Sequence, residues 1–171
     1  MGENRASIDE LTVRPMAPAD RPWMVRALVG LQEWERQYFD GLLAGTAWVE
    51  PYLDDLVRRA ASANGEVSLA CLGGAPVGFA AWRVEEDGSL EETPDSRRYG
   101  YVSDLFVEER WRGRRLAARL IGHAEERLRE SGVTRLRIAV LAGNVSAIRA
   151  YEAAGFRPYL MRLEKMVGGS S

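Results

Sequence analysis

The sequence predicts an α/β fold in which helices cover both faces of one mixed β-sheet. Three observations support this fold class. Strand-like and helical periodicities alternate along the chain, without an internal repeat or an interdomain linker. Residues 66–72 and 77–84 are apolar runs joined by a turn that contains glycine and proline, which predicts a hairpin. Residues 101–141 follow a strand–helix–strand pattern, and such a unit joins two parallel strands through a right-handed crossover.

The first half of the chain contains one predicted strand and two predicted helices before the hairpin. Residues 8–14 alternate between apolar and polar side chains, as a half-buried strand does. Asp20 and Pro22 are typical of a helix start, and the apolar residues that follow recur at intervals of three or four positions. A second helix with the same periodicity is predicted over residues 46–63, and Gly65 follows its end.

The second half of the chain carries the strand–helix–strand unit and a final helix and strand. Residues 85–99 are polar and acidic, which predicts a loop. Residues 114–130 place leucine and alanine on one face, which predicts an amphipathic helix. Asn144 is typical of a helix N-cap, and Gly155 of the position after a helix end. The predicted elements are strands at 8–14, 66–72, 77–84, 101–107, 134–141 and 156–166, and helices at 20–39, 46–63, 114–130 and 144–154.

Composition predicts an ordinary globular protein. The 171 residues include 23 Lys and Arg and 25 Asp and Glu, for a net charge of -2, and we expect one domain at 8–166 with flexible tails at 1–7 and 167–171. A near-neutral charge argues against a dedicated nucleic-acid binder. One cysteine, Cys71, excludes an internal disulfide and fits a reducing compartment, so a cytoplasmic location is expected. One histidine, His123, excludes a histidine-pair metal motif, and no metal site is expected.

Charge and apolar residues are unevenly distributed. Residues 1–100 contain 10 Lys and Arg against 17 Asp and Glu, whereas residues 101–171 contain 13 against 8. The acidic half would suit a cationic partner and the basic half an anionic one. The longest apolar stretch, residues 69–82, is interrupted by glycine and proline. It falls short of the ~18 consecutive apolar residues of a membrane helix, so no membrane partner is expected.

The turn between the predicted strand at 101–107 and the predicted helix at 114–130 is the segment most indicative of function. A helix N-terminus presents unpaired N–H groups and a partial positive charge, which makes it an anion site. Gly113 allows a ligand to approach the backbone, and arginine binds phosphate through two parallel hydrogen bonds. These features predict a phosphate or pyrophosphate site that is neither a P-loop nor a G-x-G-x-x-G turn. The arginines are Arg110, Arg112, Arg114 and Arg115.

This turn resembles motif A of the GNAT superfamily of N-acetyltransferases, [QR]-x-x-G-x-[GA], whose backbone amides bind the pyrophosphate of acetyl-CoA. Arg112 matches the first position and Ala117 the last, whereas Arg115 stands at the glycine position. Arg115 would therefore adopt the conformation of that glycine at a cost in strain, or its side chain would replace part of the anion cradle. Residues 144–156 resemble motif B, N-x-x-A-x-x-x-Y-x-x-x-G-F, and the order of elements fits over residues 11–165.

The resemblance implies a GNAT-like fold, with a mixed, mostly antiparallel sheet, a central parallel pair of strands that splay apart, and helices on both faces. Residues 105–107 would part from residues 138–140, and the pantetheine arm of acetyl-CoA would lie between them. The implied reaction transfers the acetyl group of acetyl-CoA, the cosubstrate, to a primary amine of a small molecule or peptide by direct attack in a ternary complex. The residues implied to contact acetyl-CoA are Leu105, Phe106, Val107, Arg112, Gly113, Arg114, Arg115, Leu116, Ala117, Asn144 and Tyr151.

Tyr151 and Asp104 are the catalytic candidates. By resemblance, Tyr151 protonates the leaving thiolate, and a phenol of pKa ~10 suits that task. Asp104 would accept a proton from the substrate ammonium, since its strand would lie beside the thioester. That strand is similar to the Y-L-E-D-F-F-V strand of spermidine/spermine acetyltransferases, with Ser103 in place of the glutamate. The alternative bases, which would act through a water molecule, are Glu33, Glu35 and Glu85.

The acceptor remains unidentified at this point. The first helices usually shape the acceptor site in the family, so the resemblance implies Trp34, Tyr38 and Phe39 as substrate-binding residues, although aromatic residues at such positions more often belong to the core. The acidic first half favours a cationic amine, and relatives commonly form homodimers. Two alternatives stay open, an acyl-CoA-sensing module without turnover and a nucleic-acid-associated protein that uses the arginines. Nucleic acid is not the expected partner, because Trp111 is the only aromatic residue in that cluster.

Overall fold

The computed structural model describes residues 10–167. The predicted tail at 1–7, the first two residues of the strand predicted at 8–14, and residues 168–171 of the predicted C-terminal tail lie outside the described residues. The strands are β1 (Leu11–Pro15), β2 (Glu66–Leu72), β3 (Ala75–Glu86), β4 (Arg98–Val107) and β5 (Leu136–Ile138). The helices are α1 (Arg21–Glu35), α2 (Val49–Ser62), α3 (Pro94–Arg97), α4 (Leu116–Glu130) and α5 (Val145–Ala153), with 3₁₀ turns at Pro18–Asp20 and Glu109–Trp111.

One five-stranded sheet in the order β1-β2-β3-β4-β5 organises the described residues. β1 to β4 pair antiparallel, whereas β4 and β5 pair parallel through the α4 crossover. The predicted fold class, a mixed and mostly antiparallel sheet with helices, is therefore confirmed. The parallel pair lies at one edge of the sheet rather than at its centre, because no strand pairs with the outer side of β5 in the part of the chain that the structure describes.

Both faces of the sheet are covered, as the continuous apolar run of β2 predicts. α1 and α2 pack on one face, where Met24 and Leu53 contact Phe79 in a core cluster. α4 packs on the other face, where Leu116 and Leu120 join β2 and β3 in a second cluster. The apolar residues of α2 and α4 are buried at intervals of three and four, which accounts for the helical periodicity.

The segment predicted as a final strand, residues 156–166, does not form one. Its side chains are exposed, and Leu160, Met161 and Leu163 expose 68%, 81% and 85% of their surface. A strand needs a neighbour with free backbone groups along its length, and β5 offers only three residues. An alternating apolar pattern describes one strand and carries no information about its partner, so the prediction was wrong here.

Other predicted boundaries shift where turns compete with regular structure. β5 ends at Ile138 instead of residue 141, because the chain enters a turn closed by the Asn144 N–H to Leu141 C=O bond of 2.8 Å. α1 ends at Glu35 instead of residue 39, where Tyr38 N–H bonds back to Glu35 C=O at 2.9 Å in a tighter turn. Within residues 10–167, no helix is both long and apolar enough to cross a membrane.

Candidate active site

β4 continues past the end of β5, and a cleft lies beside the part of β4 that β5 does not reach. Their pairing runs only from Gly100 and Leu136 to Val102 and Ile138, after which β4 continues alone to Val107. All three residues of β5 pair with β4, with Ile138 opposite Val102, so the predicted parting of residues 105–107 from residues 138–140 is not seen as two splayed strands. The cleft arises instead because β5 ends before it reaches residues 105–107 of β4.

The peptide groups of Leu105 and Val107 face this cleft. Glu108 N–H donates to Val77 C=O at 3.0 Å, which fixes the phase of the antiparallel β3–β4 ladder. Successive residues of such a ladder alternate between bonding to the neighbouring strand and pointing away from it. Leu105 and Val107 therefore direct their N–H and C=O groups toward the β5 side. The Val107 C=O accepts a hydrogen bond from Nε of Arg112 at 3.1 Å, which ties the following turn to the strand end.

The turn after β4 leads into α4 with two residues in the left-handed region. Gly113 has φ 73° and Arg115 has φ 62°. No side chain caps α4, so the N–H groups of its first turn lack the usual intrahelical and side-chain partners. The side chain of Leu116 is buried in the core, which leaves only its backbone for a ligand in the turn. A Cβ placed on Gly113 would meet nothing within 4 Å, so the space beside this turn is open.

The arginine side chains around the turn are held by tryptophan rings. The guanidinium of Arg114 lies 4.9 Å and that of Arg110 5.7 Å from the ring centre of Trp111. The guanidinium of Arg112 lies 4.8 Å from the ring centre of Trp34. An open turn with unpaired N–H groups and positioned guanidinium groups suits a diphosphate.

Arg115 carries the backbone conformation that a glycine would adopt without strain, at φ 62° and ψ 18°. We expect the free energy of unfolding of Arg115→Gly to exceed that of Arg115→Ala by about 1 kcal/mol, with a correspondingly higher melting temperature. Both variants lose the arginine side chain, but only glycine relieves the strain. Thermal denaturation of the two variants measures this difference. Equal stabilities would show that the left-handed conformation costs the chain nothing.

A cavity of about 220 Å³ lies beside the cleft, between α1, α2, β4, β5 and α5. Its walls combine apolar side chains with two carboxyl groups and two phenols. A cavity that combines apolar side chains with convergent polar groups is typical of a small-molecule site. The lining residues are Leu28, Leu31, Gln32, Glu35, Leu42, Trp48, Tyr52, Ser103, Asp104, Leu105, Ile138, Ala139 and Tyr151.

Asp104 lies in the wall of the cavity with only 8% of its surface exposed. Asp104 pairs with Ala81 and Val102 with Trp82, so Ser103 is the extra residue of a β-bulge. Bulges re-aim neighbouring side chains. The Tyr52 hydroxyl donates to Oδ1 of Asp104 at 2.8 Å, whereas Oδ2 is buried without a protein partner. Burial raises the pKa of Asp104, which suits a carboxylate that must accept a proton.

Glu35 is the only one of the three alternative bases that lines this cavity. Burial, and then the charge of Asp104, raise the pKa of Glu35. Glu33 instead pairs with Arg36 at 3.1 Å on the outer side of α1. Glu85 pairs with Arg83 and accepts a hydrogen bond from the Tyr99 hydroxyl at 3.0 Å.

Tyr151 reaches the same cavity from α5, and its ring packs edge-on against Phe156 at 6.1 Å between ring centres. Burial, and then the charge of Glu35, raise the pKa of Tyr151 to about 12. Asn144 begins α5, and its Oδ1 accepts the Ala147 N–H at 3.2 Å. The cap uses the amide oxygen, so the amide nitrogen of Asn144 remains for another partner.

The three residues implied for acceptor binding do not line the cavity. Trp34 packs under Arg112 and edge-on against Tyr38, with 6.1 Å between the two ring centres. Phe39 lies against Gly41 in the turn after α1. Another side of α1 reaches the cavity instead, through Leu28, Leu31, Gln32 and Glu35. These residues are three, four and seven positions apart, so they share one side of the helix.

Tyr52 is the residue of the site that sequence reasoning missed. It precedes Leu53, which belongs to the buried stripe of α2, and its own position falls outside that stripe. The helical pattern therefore predicts a surface residue at position 52. Only the packing of α2 on β2 and β3 brings its hydroxyl to Asp104 of the neighbouring strand β4. A tyrosine at the margin of an apolar helix face was the one available signal, since such a ring can be buried while its hydroxyl finds a polar partner.

Comparison with known proteins bears on the family and the fold. The family model described as acetyltransferase (GNAT) family matches residues 28–156, and no curated protein matches the chain. A GCN5-related N-acetyltransferase from Ralstonia eutropha is similar at 22% identity and a TM-score of 0.70, over 92% of this chain and 99% of that one.

Two aminoglycoside acetyltransferases are also similar in structure. One comes from an uncultured soil metagenomic sample, with 17% identity and a TM-score of 0.65 over 94% of this chain and 99% of that one. The other is a 6'-N-acetyltransferase from Acinetobacter haemolyticus, with 15% identity and a TM-score of 0.68 over 92% and 99%. At these identities the likeness concerns the fold alone.

Proposed function

The chain belongs to the acetyltransferase (GNAT) family, and from that premise we propose that it transfers an acetyl group from acetyl-CoA to a primary amine by direct attack in a ternary complex. The observation that carries the proposal is that the part of β4 which β5 does not reach adjoins one cavity that holds a buried carboxyl group and a phenol. Both Asp104 and Tyr151 line that cavity. Transfer of an acyl group from a thioester to an amine needs a proton acceptor and a proton donor.

The residues around the cleft fit acetyl-CoA. The uncapped start of α4, with Gly113 open to solvent and arginines beside it, suits the diphosphate. The peptide groups of Leu105 and Val107 suit the amide-bearing pantetheine arm, and so does the free amide nitrogen of Asn144. Acetyl-CoA supplies the activated acetyl group as a thioester.

Each catalytic role follows from the environment of the side chain. Asp104 holds the proton that the ammonium loses, because its buried Oδ2 lacks a protein partner and its pKa is raised. Tyr151 gives a proton to the departing thiolate, because its phenol lines the same cavity. A pKa of about 12 keeps this phenol protonated at neutral pH, and it also makes Tyr151 a weaker acid than a phenol of pKa ~10. A backbone N–H of the unpaired β4 edge stabilises the oxyanion, a contribution of ~2.7–4 kcal/mol where such donors have been measured. The shared cavity supplies proximity.

The direct test is release of free coenzyme thiol from acetyl-CoA with a panel of primary amines that includes aminoglycosides, diamines, amino acids and peptides. We expect release only when an amine is present, and a rise in melting temperature with acetyl-CoA alone. Stabilisation by acetyl-CoA without thiol release from any amine would favour the acyl-CoA-sensing module. If acetyl-CoA did not stabilise the protein and no amine caused thiol release, the proposal would be overturned.

Tyr52→Phe should move the pH profile without removing the catalytic groups. The Tyr52 hydroxyl lowers the pKa of Asp104 by donating to it, so its loss raises that pKa further. A base with a higher pKa is ionised only at higher pH, and the acidic limb of kcat/KM should therefore shift to higher pH. Measured pH profiles of wild type and Tyr52→Phe test this. A Trp48→Phe variant serves as a control, because it alters the same wall of the cavity without contacting Asp104 through a hydrogen bond.

An unchanged acidic limb in Tyr52→Phe would contradict the assignment of Asp104 as the proton acceptor. A loss of activity that is equal at all pH values would indicate a packing role for Tyr52 instead.

A further inference from the structure

The cavity beside the cleft holds two carboxyl groups and, among its lining residues, no cationic side chain. Asp104 lies in its wall and is 8% exposed, whereas Glu35 is half-buried at the C-terminal end of α1. Arg83 is the cation that acts on Asp104, but its guanidinium pairs with Glu85 outside the cavity. The negative charge of the cavity is therefore not balanced by the residues that form it.

An unpaired buried carboxylate is costly, and a bound cation relieves the cost. Oδ2 of Asp104 is buried, lacks a protein partner and belongs to the cavity wall. This atom is the independent indication that a ligand completes the site. Because Asp104 is deeper than Glu35, one end of a ligand would meet Asp104 while the other would lie near Glu35.

Uncharged side chains form the rest of the cavity. Its apolar walls are leucine side chains, a tryptophan ring, Ile138 and Ala139, and neutral polar groups come from Gln32, Tyr52, Ser103 and Tyr151. An alkyl chain suits such walls, whereas a second carboxylate would lie beside Glu35 and be repelled. The site thus combines two carboxyl groups with walls that carry no other charge.

We propose that Glu35 and Asp104 select acceptors that carry two ammonium groups on a short alkyl chain and no carboxylate, with the reacting amine at Asp104 and the distal ammonium at Glu35. The inference rests on the proposed function and deepens it by naming the acceptor class. Glu35 is then a specificity-determining residue, whereas Asp104 contacts the reacting atoms.

Three acceptors of the same chain length test the proposal: cadaverine with two amines, pentylamine with one, and lysine with an added carboxylate. At saturating acetyl-CoA, we expect kcat/KM for cadaverine to exceed that for pentylamine by about tenfold or more, the size of a charged hydrogen bond. Lysine should be the poorest of the three. Lysine turnover equal to that of cadaverine would overturn the proposal.

Glu35→Gln tests whether Glu35 binds the distal ammonium of the acceptor. The ratio of cadaverine to pentylamine kcat/KM should fall by about tenfold, mainly through a higher KM for cadaverine. Asp40→Asn is the matched control, because Asp40 is an exposed carboxylate near the same helix end that does not line the cavity, and it should keep the wild-type ratio. A ratio unchanged in Glu35→Gln would overturn the role of Glu35. A melting temperature close to that of wild type shows that the variant is folded.

Calorimetric titration of cadaverine into the complex with coenzyme A separates this inference from the proposed function. If cadaverine gives a heat of binding with wild type and a smaller one with Glu35→Gln, the result supports a site formed by the two carboxyl groups. This conclusion holds even if no thiol is released. Thiol release from monoamines with no dependence on Glu35 leaves the acetyltransferase proposal intact and refutes the acceptor class. Absence of both thiol release and cadaverine binding refutes both.

Discussion

Asp104→Asn should reduce kcat by about 10²–10⁴-fold, the usual contribution of a positioned proton acceptor. Asparagine keeps the shape of the side chain and can still accept the Tyr52 hydroxyl that bonds Oδ1 at 2.8 Å. It cannot take up a proton. The loss should therefore fall on turnover, while stabilisation of the protein by acetyl-CoA persists. Thiol-release kinetics at saturating substrates measure it.

The same substitution should make the protein more stable at neutral pH. Burial raises the pKa of Asp104 in the folded state above its unfolded value, so the folded state binds more protons and the stability of wild type falls as pH rises. Asparagine does not ionise. The melting-temperature advantage of Asp104→Asn should be absent below the unfolded pKa, grow as pH rises, and level off above the folded pKa.

Asp40→Asn, at an exposed carboxylate, is the control and should change neither kcat nor the pH dependence of stability. If Asp104→Asn retained wild-type turnover, Asp104 would not be the proton acceptor. If it instead unfolded at a lower temperature at every pH, the carboxylate would be a structural group whose charge the fold requires.

Tyr151→Phe is expected to give the second large effect, a fall in kcat of about 10²-fold or more at saturating substrates. The ring that packs against Phe156 is kept, so the free energy of unfolding should change by no more than about 1 kcal/mol. The lost group is the phenolic proton donor alone. Stopped-flow measurement of thiol release separates this chemical step from binding of the substrates.

The pH profile gives an independent check on Tyr151. Because the pKa of Tyr151 is raised to about 12, the phenol is protonated over the whole range in which the protein can be assayed. The basic side of the pH profile should therefore have the same shape in wild type and in Tyr151→Phe. Phe156→Leu is the packing control, since it alters the ring contact and keeps the hydroxyl. Full activity of Tyr151→Phe would assign the proton donor elsewhere.

Local sequence signals located most elements, because their apolar periodicity reflects burial against the sheet. The regular stripe of α4, for example, predicted both the helix and the face that Leu120 buries. The turn before α4 was also predictable, since Gly113 follows the strand pattern and precedes the helix pattern. That this turn binds an anion stays a prediction. The strand predicted at 156–166 failed because its formation depends on a partner that the pattern does not specify.

The site was only partly predictable for a related reason. Asp104 and Tyr151 were identified as candidates from their motifs, and the structure brings both to one cavity. Trp34, by contrast, was implied from its place on the first helix, but its rotation on α1 directs it to Arg112. A difference of one position turns a side chain by about 100° around a helix, which decides between cavity and surface.

By itself, the sequence determined the order of most elements, the sides of the helices that become buried, and the place of the turn that carries Gly113, because these depend on residues close together in the chain. Only the tertiary structure decided that Tyr52 bonds to Asp104 and that Glu35 shares its cavity. Those contacts join α1, α2 and β4, whose relative positions follow from packing on the sheet. Packing depends on the shapes of many side chains at once, so no local pattern along the chain encodes it.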